Sequence, residues 1–99
     1  LWMCDPMHGN TGKTRAGNKR RELSDMMAEI SGFLRQVKSH NACAAGLHLE
    51  ATPNPVIECF SENNHPEEHE LKQILCDPRL NVAQTQMLLT HWKEGQHDF

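Results

Sequence analysis

The spacing of apolar and polar residues predicts alternating strands and helices. An apolar run, Leu1–Cys4, stops at Asp5-Pro6 and predicts a buried strand. Residues 8–20 are rich in glycine and basic residues and predict a loop. Apolar residues then recur at helical spacing and predict an amphipathic helix from Arg21 to Lys38. The predicted packing face of this helix contains Leu23, Met26, Ile30, Phe33 and Val37.

The second half of the chain continues the alternation. Its predicted elements are a strand over 47–50, a helix opening at Pro66, a short strand over 73–76 that stops at Asp77-Pro78, and a last helix from the cap Asn81 through Trp92. Residues 41–46 predict a connection, and Val56–Phe60 is a second, shorter apolar stretch. The order strand, helix, strand, helix, short strand, helix predicts an α/β fold with a parallel sheet and crossover helices.

Composition narrows the class of protein. The chain has 99 residues, 37% of them hydrophobic, and a net charge of −3, which indicates a single segment, 1–99, with a thin core. The charge argues against a general nucleic-acid binder, and no apolar run approaches the roughly 18 residues of a membrane span. We expect no membrane partner and no signal peptide. The four cysteines include no CxxC pair, which favours reduced thiols over a zinc finger, although a disulfide framework stays possible.

Candidate chemistry lies at the predicted strand ends. Functional side chains of parallel α/β folds come from the carboxyl ends of strands. Here those ends carry Asp5 and His8, then His48 and Glu50, then Asp77. Imidazole and carboxylate donors together suit Mn²⁺, Co²⁺, Fe²⁺ or Zn²⁺. The long spacings leave a second interpretation open, in which these are ordinary capping acids and loop histidines.

A basic loop is the second candidate feature. Half of the ten Lys and Arg residues fall within nine positions: Lys13, Arg15, Lys19, Arg20 and Arg21. Such groups beside glycines suit a phosphorylated small molecule, and a solvated loop is the alternative. No aromatic residue lies between Trp2 and Phe33, so the stacking surface of a single-strand binder is absent from this loop.

Several motifs resemble those of one enzyme family. The stretch from Trp2 to Thr11, WMCDPMHGNT, is similar to the WxCDPMHGNT motif of class II (plant-type) 3-deoxy-D-arabino-heptulosonate 7-phosphate (DAHP) synthases. Further similarities, in the same order as in the family, are GNKRR over 17–21 to GxKTR, AGLHLE over 45–50 to GGxHLE, VIEC over 56–59 to VTEC, and CDPRLN over 76–81 to CDPRLN. The resemblance runs from Leu1 to about Leu89 and extends to the related synthases of phenazine pathways.

The resemblance implies a (β/α)₈ barrel of the TIM type. This family condenses phosphoenolpyruvate with erythrose 4-phosphate, the first step of the shikimate pathway and of aromatic amino acid biosynthesis. The chain would hold the last three βα units, incomplete as an isolated chain, because a barrel needs eight units and about 250 residues. Since residue 1 is Leu and not Met, we expect a processed chain or the carboxyl-terminal part of a longer protein. The expected location is the cytoplasm, or a plastid in a plant.

The resemblance also implies site residues. The family's divalent metal is held by residues that correspond to His8, Glu50 and Asp77, with a Cys from an upstream strand. Mn²⁺ or Co²⁺ is the expected cofactor, a Lewis acid on the aldehyde oxygen or an orienting group for the attacking water. Lys19 matches the lysine of GxKTR and is the expected catalytic and sugar-phosphate contact, and Arg21 is a further candidate for the same surface.

The departures from the family pattern define an alternative. Arg20 replaces Thr, Thr52-Pro53 replaces TG, and Ser61-Glu62 replaces GG. The chain also needs the missing amino-terminal barrel portion as a partner, since that portion carries the groups that grip phosphoenolpyruvate. We expect the complete protein to be a homo-oligomer and the isolated chain to be inactive. The alternative is a non-catalytic remnant, or a metal-binding fragment, of such a synthase.

Overall fold

Short strands and helices alternate along the chain. The computed structural model describes residues 1–98. In chain order its elements are β1 (Trp2–Cys4), a 3₁₀ turn (His8–Asn10), β2 (Thr11–Lys13), β3 (Lys19–Arg21), α1 (Leu23–Ser39), β4 (Ala44–Leu47), α2 (Glu68–Lys72) and α3 (Val82–Asp98). The predicted mixture of strands and helices in a small α/β unit is confirmed.

The first sheet is a parallel pair joined by a crossover helix. β1 pairs with β4, with Met3 opposite Gly46 and Cys4 opposite Leu47, and α1 lies between the two strands in the chain. The parallel pairing is confirmed, but the second strand covers 44–47, where a connection was predicted, and not 47–50. Pairing uses backbone groups, which small residues supply as readily as apolar ones, so the apolar pattern misplaced this strand.

A further parallel contact lies outside this two-stranded sheet. Ala51 bridges Leu80 in parallel, because Thr52 N–H donates to the Leu80 carbonyl at 2.9 Å and Leu80 N–H donates to the Glu50 carbonyl at 2.9 Å. The predicted short strand over 73–76 is wrong. These residues form turns and bends after α2. Leu75 is fully exposed, so the apolar run over 73–76 does not mark a buried strand. Asp77 consequently lies on an irregular segment that precedes the bridge at Leu80, and not at the end of a strand.

The predicted loop over 8–20 is largely ordered by an antiparallel hairpin. β2 pairs with β3, with Thr11 opposite Arg21, and Thr14 N–H donates to the Asn18 carbonyl at 2.8 Å. Gly17 has a φ of 86°, a conformation that glycine adopts without steric cost and that closes the turn. Because the hairpin includes Arg21, the helix begins later than predicted, at Leu23.

The core lies between α1, α3 and the parallel strands. Leu23, Met26, Ile30 and Leu34 of α1 are buried, whereas Phe33 and Val37 of the predicted face are half-buried. Phe33 stacks on Trp92 with ring centroids 6.0 Å apart. α3 approaches α1 closely at Gly95, where an added Cβ would lie 2.6 Å from Leu34 Cδ1. The residue without a side chain at this point therefore allows the two helices to pack.

α3 begins with a reciprocal cap. Gln84 N–H donates to Asn81 Oδ1 at 2.9 Å, and Asn81 N–H donates to Gln84 Oε1 at 3.1 Å. This arrangement satisfies free donors at the helix start, so the predicted Asn81 cap is confirmed. The helix continues past Trp92 to Asp98. None of the helices within residues 1–98 has the length and apolar character needed to cross a membrane.

Candidate metal centre

Three of the predicted site residues meet in one place. His8, Glu50 and Asp77 each offer one ligand atom, and these atoms lie within 4.8 Å of one another. His8 begins the 3₁₀ turn after β1, Glu50 follows β4, and Asp77 precedes the bridge at Leu80. The donors are separated by 42 and 27 residues in sequence, and the parallel layer brings them together. One nitrogen and two carboxylate oxygens are a donor set that suits a divalent transition-metal ion.

A carboxylate fixes the orientation of the His8 ring. Asp5 Oδ2 lies 2.5 Å from His8 Nδ1, and Asp5 Oδ1 accepts the backbone N–H groups of Met7 and His8 at 3.0 and 3.1 Å. The other ring nitrogen, Nε2, lies 2.7 Å from Glu50 Oε1 and faces the centre. Histidine ligands of metals commonly donate their second N–H to a carboxylate in this way. Asp5 thus has a supporting role for His8.

The local hydrogen bonds also set the ionisation of Asp5. Burial acts to raise the pKa of this carboxyl group, but the backbone N–H groups of His8 and Met7, together with the His8 ring, outweigh burial. The pKa of Asp5 consequently lies below its ordinary value, and the group is an anion beside the imidazole near neutral pH.

Cationic side chains hold the two ligand carboxylates. Arg21 Nη1 donates to Glu50 Oε2 at 3.0 Å, and Arg21 Nη2 lies 3.6 Å from Asp77 Oδ2. Lys19 Nζ donates to Asp77 Oδ1. The hydrogen bond from Lys19, aided by the positive charges of Lys19 and Arg21, holds the pKa of Asp77 below its ordinary value. Ionised oxygens are the form that binds a metal ion.

Arg21 is buried beside the two candidate ligand carboxylates. Its side chain is 1% exposed, and its donors are taken by Thr11 Oγ1 at 2.7 Å, Glu50 Oε2, and the Pro78 carbonyl at 3.0 Å. The strand alternation of β3 explains this burial, because Arg21 points inward where the Thr11 hydroxyl and the carboxylates lie. The expectation that Arg21 shares a substrate surface with Lys19 stays a prediction.

Lys19 does border open space. Its side chain is 58% exposed, and it lines a groove of about 310 Å³ together with Asn18, Lys72 and Asp77. The groove thus touches one ligand carboxylate of the centre and carries two ammonium groups.

A second donor group shares His8 with the first. Asp5, His8 and His48 also bring ligand atoms within 4.8 Å of one another, and the rings of His8 and His48 stack at 6.0 Å. All three residues are exposed. Because Asp5 already accepts N–H groups from Met7 and His8, its observed contacts are those of a group that orients His8.

An ion pair between a buried carboxylate and a half-buried guanidinium joins two motifs, and the sequence pattern did not predict it. Glu58 is 5% exposed and accepts bonds from Arg79, from the backbone N–H at 2.9 Å, from Nε at 3.0 Å and from Nη2 at 2.8 Å. The pair fixes the backbone two residues after Asp77. A charged residue within the apolar stretch 56–60 was the signal, since a buried carboxylate requires a partner.

Cys4 and Cys59 are buried, and their thiols have raised pKa values. Burial, with smaller effects from nearby carboxylates, raises the pKa of Cys4 to about 11. Burial also raises the pKa of Cys59 to about 12, against the opposing effect of Arg21. Neither thiol ionises readily near neutral pH, so neither resembles a reactive or metal-binding thiolate. All four cysteines are free, in agreement with the reduced state expected from the sequence.

These features define a class of protein. A parallel α/β layer that delivers one imidazole and two carboxylates to a shared centre is typical of metal-dependent enzymes. Residues 1–90 match the family model described as the Class-II DAHP synthetase family, and the chain belongs to that family.

Known relatives agree with this assignment. The chain is 42% identical to a probable phospho-2-dehydro-3-deoxyheptonate aldolase of Pseudomonas fluorescens, over 94% of this chain and 24% of that protein. It is 40% identical to the phospho-2-dehydro-3-deoxyheptonate aldolase of Neurospora crassa, over 85% of this chain and 18% of that protein. A Streptomyces coelicolor protein of the same name is 37% identical over 85% of this chain and 19% of its own length. The chain thus spans about a quarter or less of the length of these relatives.

Proposed function

We propose that residues 1–99 are the carboxyl-terminal part of a DAHP synthase and supply the metal side of its active site. In this proposal the parallel contacts of β1 with β4, and of Ala51 with Leu80, belong to the last three βα units of a (β/α)₈ barrel. The exposure of Trp2 and Met3 on β1, 61% and 58%, is consistent with further strands or helices covering them. The whole protein would condense phosphoenolpyruvate with erythrose 4-phosphate.

His8, Glu50 and Asp77 would hold a divalent metal ion, with Mn²⁺ or Co²⁺ as the expected species. The observation that carries this proposal is the convergence of three donors from separate segments to within 4.8 Å of one another. The hydrogen bond that Asp5 Oδ2 accepts from His8 Nδ1 supports it, because it leaves Nε2 directed at Glu50 Oε1. When bound, the ion would supply Lewis-acid polarisation of the aldehyde oxygen.

Lys19 would contact the phosphate group of the sugar substrate. The groove that it lines with Lys72 is large enough for a small phosphorylated molecule, and ammonium groups attract phosphate. Asp77 lies on the same groove, so a phosphate held by Lys19 places the rest of the substrate beside the ligand cluster. Holding two reactants in register contributes about 7–11 kcal/mol to lowering a barrier, and this chain provides only part of that grip.

The test is phosphoenolpyruvate consumption with Mn²⁺ and erythrose 4-phosphate. We expect no turnover by the purified chain alone, and turnover when it is combined with the preceding portion of the Pseudomonas fluorescens relative. His8→Ala in the combined protein should abolish turnover by deleting a metal ligand. His69→Ala is the matched control, because His69 lies on α2 and outside the ligand cluster.

Each arm of this test has an outcome that contradicts the proposal. Metal-dependent turnover by the chain alone would show that it needs no further barrel units. Failure of the combined protein would favour the alternative, a non-catalytic remnant that has kept the motifs. Full activity of the His8→Ala protein would remove His8 from the metal centre.

A further inference from the structure

Arg21 is the most deeply buried charged side chain near the centre. It donates hydrogen bonds to three segments of the chain, at Thr11 of β2, Glu50 and the Pro78 carbonyl. Its exposure is 1%, so these bonds are shielded from water and are stronger than surface bonds of the same length. A charge buried to this degree needs every one of its partners, which makes its placement specific.

Arg21 contacts one oxygen of each candidate ligand carboxylate. Its Nη1 donates to Glu50 Oε2 at 3.0 Å, and its Nη2 lies 3.6 Å from Asp77 Oδ2. The remaining oxygens, Glu50 Oε1 and Asp77 Oδ1, are the ones that face His8 Nε2 and Lys19 Nζ. A planar guanidinium with several fixed donors can restrain two carboxylates at once, whereas an ammonium group acts as a single point charge.

We propose that Arg21 is a positioning residue that selects which oxygen of Glu50 and of Asp77 meets the divalent cation. The inference rests on the proposed metal centre and deepens it. In this role Arg21 acts on the centre through the two carboxylates. It also offsets one of the two negative charges, so the centre keeps its donor geometry with less mutual repulsion between the carboxylates.

The neighbouring residue provides a matched control. Arg20 lies on the opposite side of β3, where its guanidinium carbon is 4.1 Å from the centre of the Phe60 ring and its Nη2 donates to Glu22 Oε2 at 3.0 Å. Arg20→Lys and Arg21→Lys make the same chemical change one residue apart. Only Arg21→Lys removes a guanidinium group that contacts Glu50 and Asp77.

The experiment measures metal binding without substrate by the combined protein described above, because the upstream Cys that the resemblance implies as a ligand lies in the preceding portion. Mn²⁺ is titrated and free Mn²⁺ is followed by electron paramagnetic resonance, and Co²⁺ is titrated and followed by its visible spectrum. We expect Arg21→Lys to weaken Mn²⁺ binding about 10–100-fold, as is typical when a residue behind a metal ligand is lost. We expect Arg20→Lys to bind as the combined protein without substitutions does. The Co²⁺ spectrum should change only in Arg21→Lys, because ligand geometry changes there.

A purely structural role of Arg21 gives a different result. It would lower the melting temperature measured in EDTA, yet leave the Co²⁺ spectrum of the folded protein unchanged. If Arg21→Lys does not fold, Thr11→Val replaces it and Thr11→Ser is its control, because valine removes the hydroxyl that accepts Arg21 Nε–H and donates to the Met7 carbonyl, whereas serine keeps that hydroxyl. We expect several-fold weaker Mn²⁺ binding and a shifted Co²⁺ spectrum from Thr11→Val.

The outcomes separate this inference from the proposed function. If His8→Ala abolishes Mn²⁺ binding while Arg21→Lys, or its substitute, binds normally with an unchanged Co²⁺ spectrum, the role of Arg21 is wrong and the metal centre stands. If the combined protein without substitutions shows no saturable Mn²⁺ binding, or its His8→Ala variant binds equally well, the metal centre itself is wrong.

Discussion

Glu58→Gln tests whether the buried ion pair with Arg79 stabilises the fold. The Glu58 side chain is 7% exposed and accepts three N–H donors of Arg79. Glutamine keeps the shape and one acceptor oxygen but places its own NH₂ group against Arg79 Nη2. One charge-assisted hydrogen bond is lost, and two donors face each other. A bond of this kind contributes about 1.5–3 kcal/mol, and we expect the free energy of unfolding to fall by that amount.

The stability difference between Glu58→Gln and the unaltered chain should depend on pH in one direction. Burial acts to raise the pKa of Glu58, but the side-chain bond, the backbone bond and the charge of Arg79 outweigh it, so the folded-state pKa lies below the ordinary value of 4.5. A carboxyl group with a lowered folded-state pKa stabilises the fold above its unfolded-state pKa. That stabilisation is lost as the pH falls through the folded-state value. The stability difference between the two proteins should therefore be constant near neutral pH and shrink below about pH 4.5.

The assay is urea-induced unfolding followed by far-ultraviolet circular dichroism, at neutral pH and in acid. Glu62→Gln is the control, because Glu62 is exposed and forms no ion pair among residues 1–98. A loss below about 0.5 kcal/mol for Glu58→Gln, the usual range of surface substitutions, would refute the reasoning. An equal difference at neutral and acid pH would also refute it, because the charge of Glu58 would then contribute nothing.

Two further predictions concern packing and thiol chemistry. Leu88 is fully buried and its neighbour Leu89 is 49% exposed, so Leu88→Ala should cost about 3 kcal/mol in urea unfolding and Leu89→Ala about 0.5 kcal/mol or less. Equal losses would contradict the packing of α3. A disulfide reagent at mildly alkaline pH should modify the exposed thiols first, whereas the buried thiols with raised pKa values should react only after unfolding. The exposed pair is Cys43 and Cys76, and the buried pair is Cys4 and Cys59. Rapid reaction of all four thiols in the folded protein would disprove the assigned burial.

The sequence predicts the longer elements better than the short ones. The apolar spacing of α1 and the Asn81 cap of α3 are local signals, and both correspond to what the structure shows. β4 and the hairpin of β2 and β3 escape prediction because their stability comes from pairing between distant backbone segments. Residues such as Gly46 and Lys19 carry no apolar pattern that marks a strand.

The candidate site follows the same division. His8, Glu50 and Asp77 can be predicted as ligands from the sequence. Their residue types suit a metal ion, and they follow predicted strands within recognisable motifs. The role of Arg21 could not be inferred, because a basic residue in a glycine-rich loop has the same pattern whether it faces solvent or is 1% exposed. Its burial depends on Thr11 and Pro78, which are 10 and 57 residues away in sequence.

Met7 has a consequence for the resistance of this region to oxidation. Its side chain is fully buried, and its sulfur accepts the backbone N–H of Glu50 at 3.1 Å. A sulfoxide at this position would force a polar, bulkier group into the core beside a candidate ligand. Met87 of α3 is 49% exposed, so peroxide reaches its sulfur more readily than that of Met7. The burial of Met7 thus protects the backbone contact to Glu50 from oxidation as long as the fold stays closed.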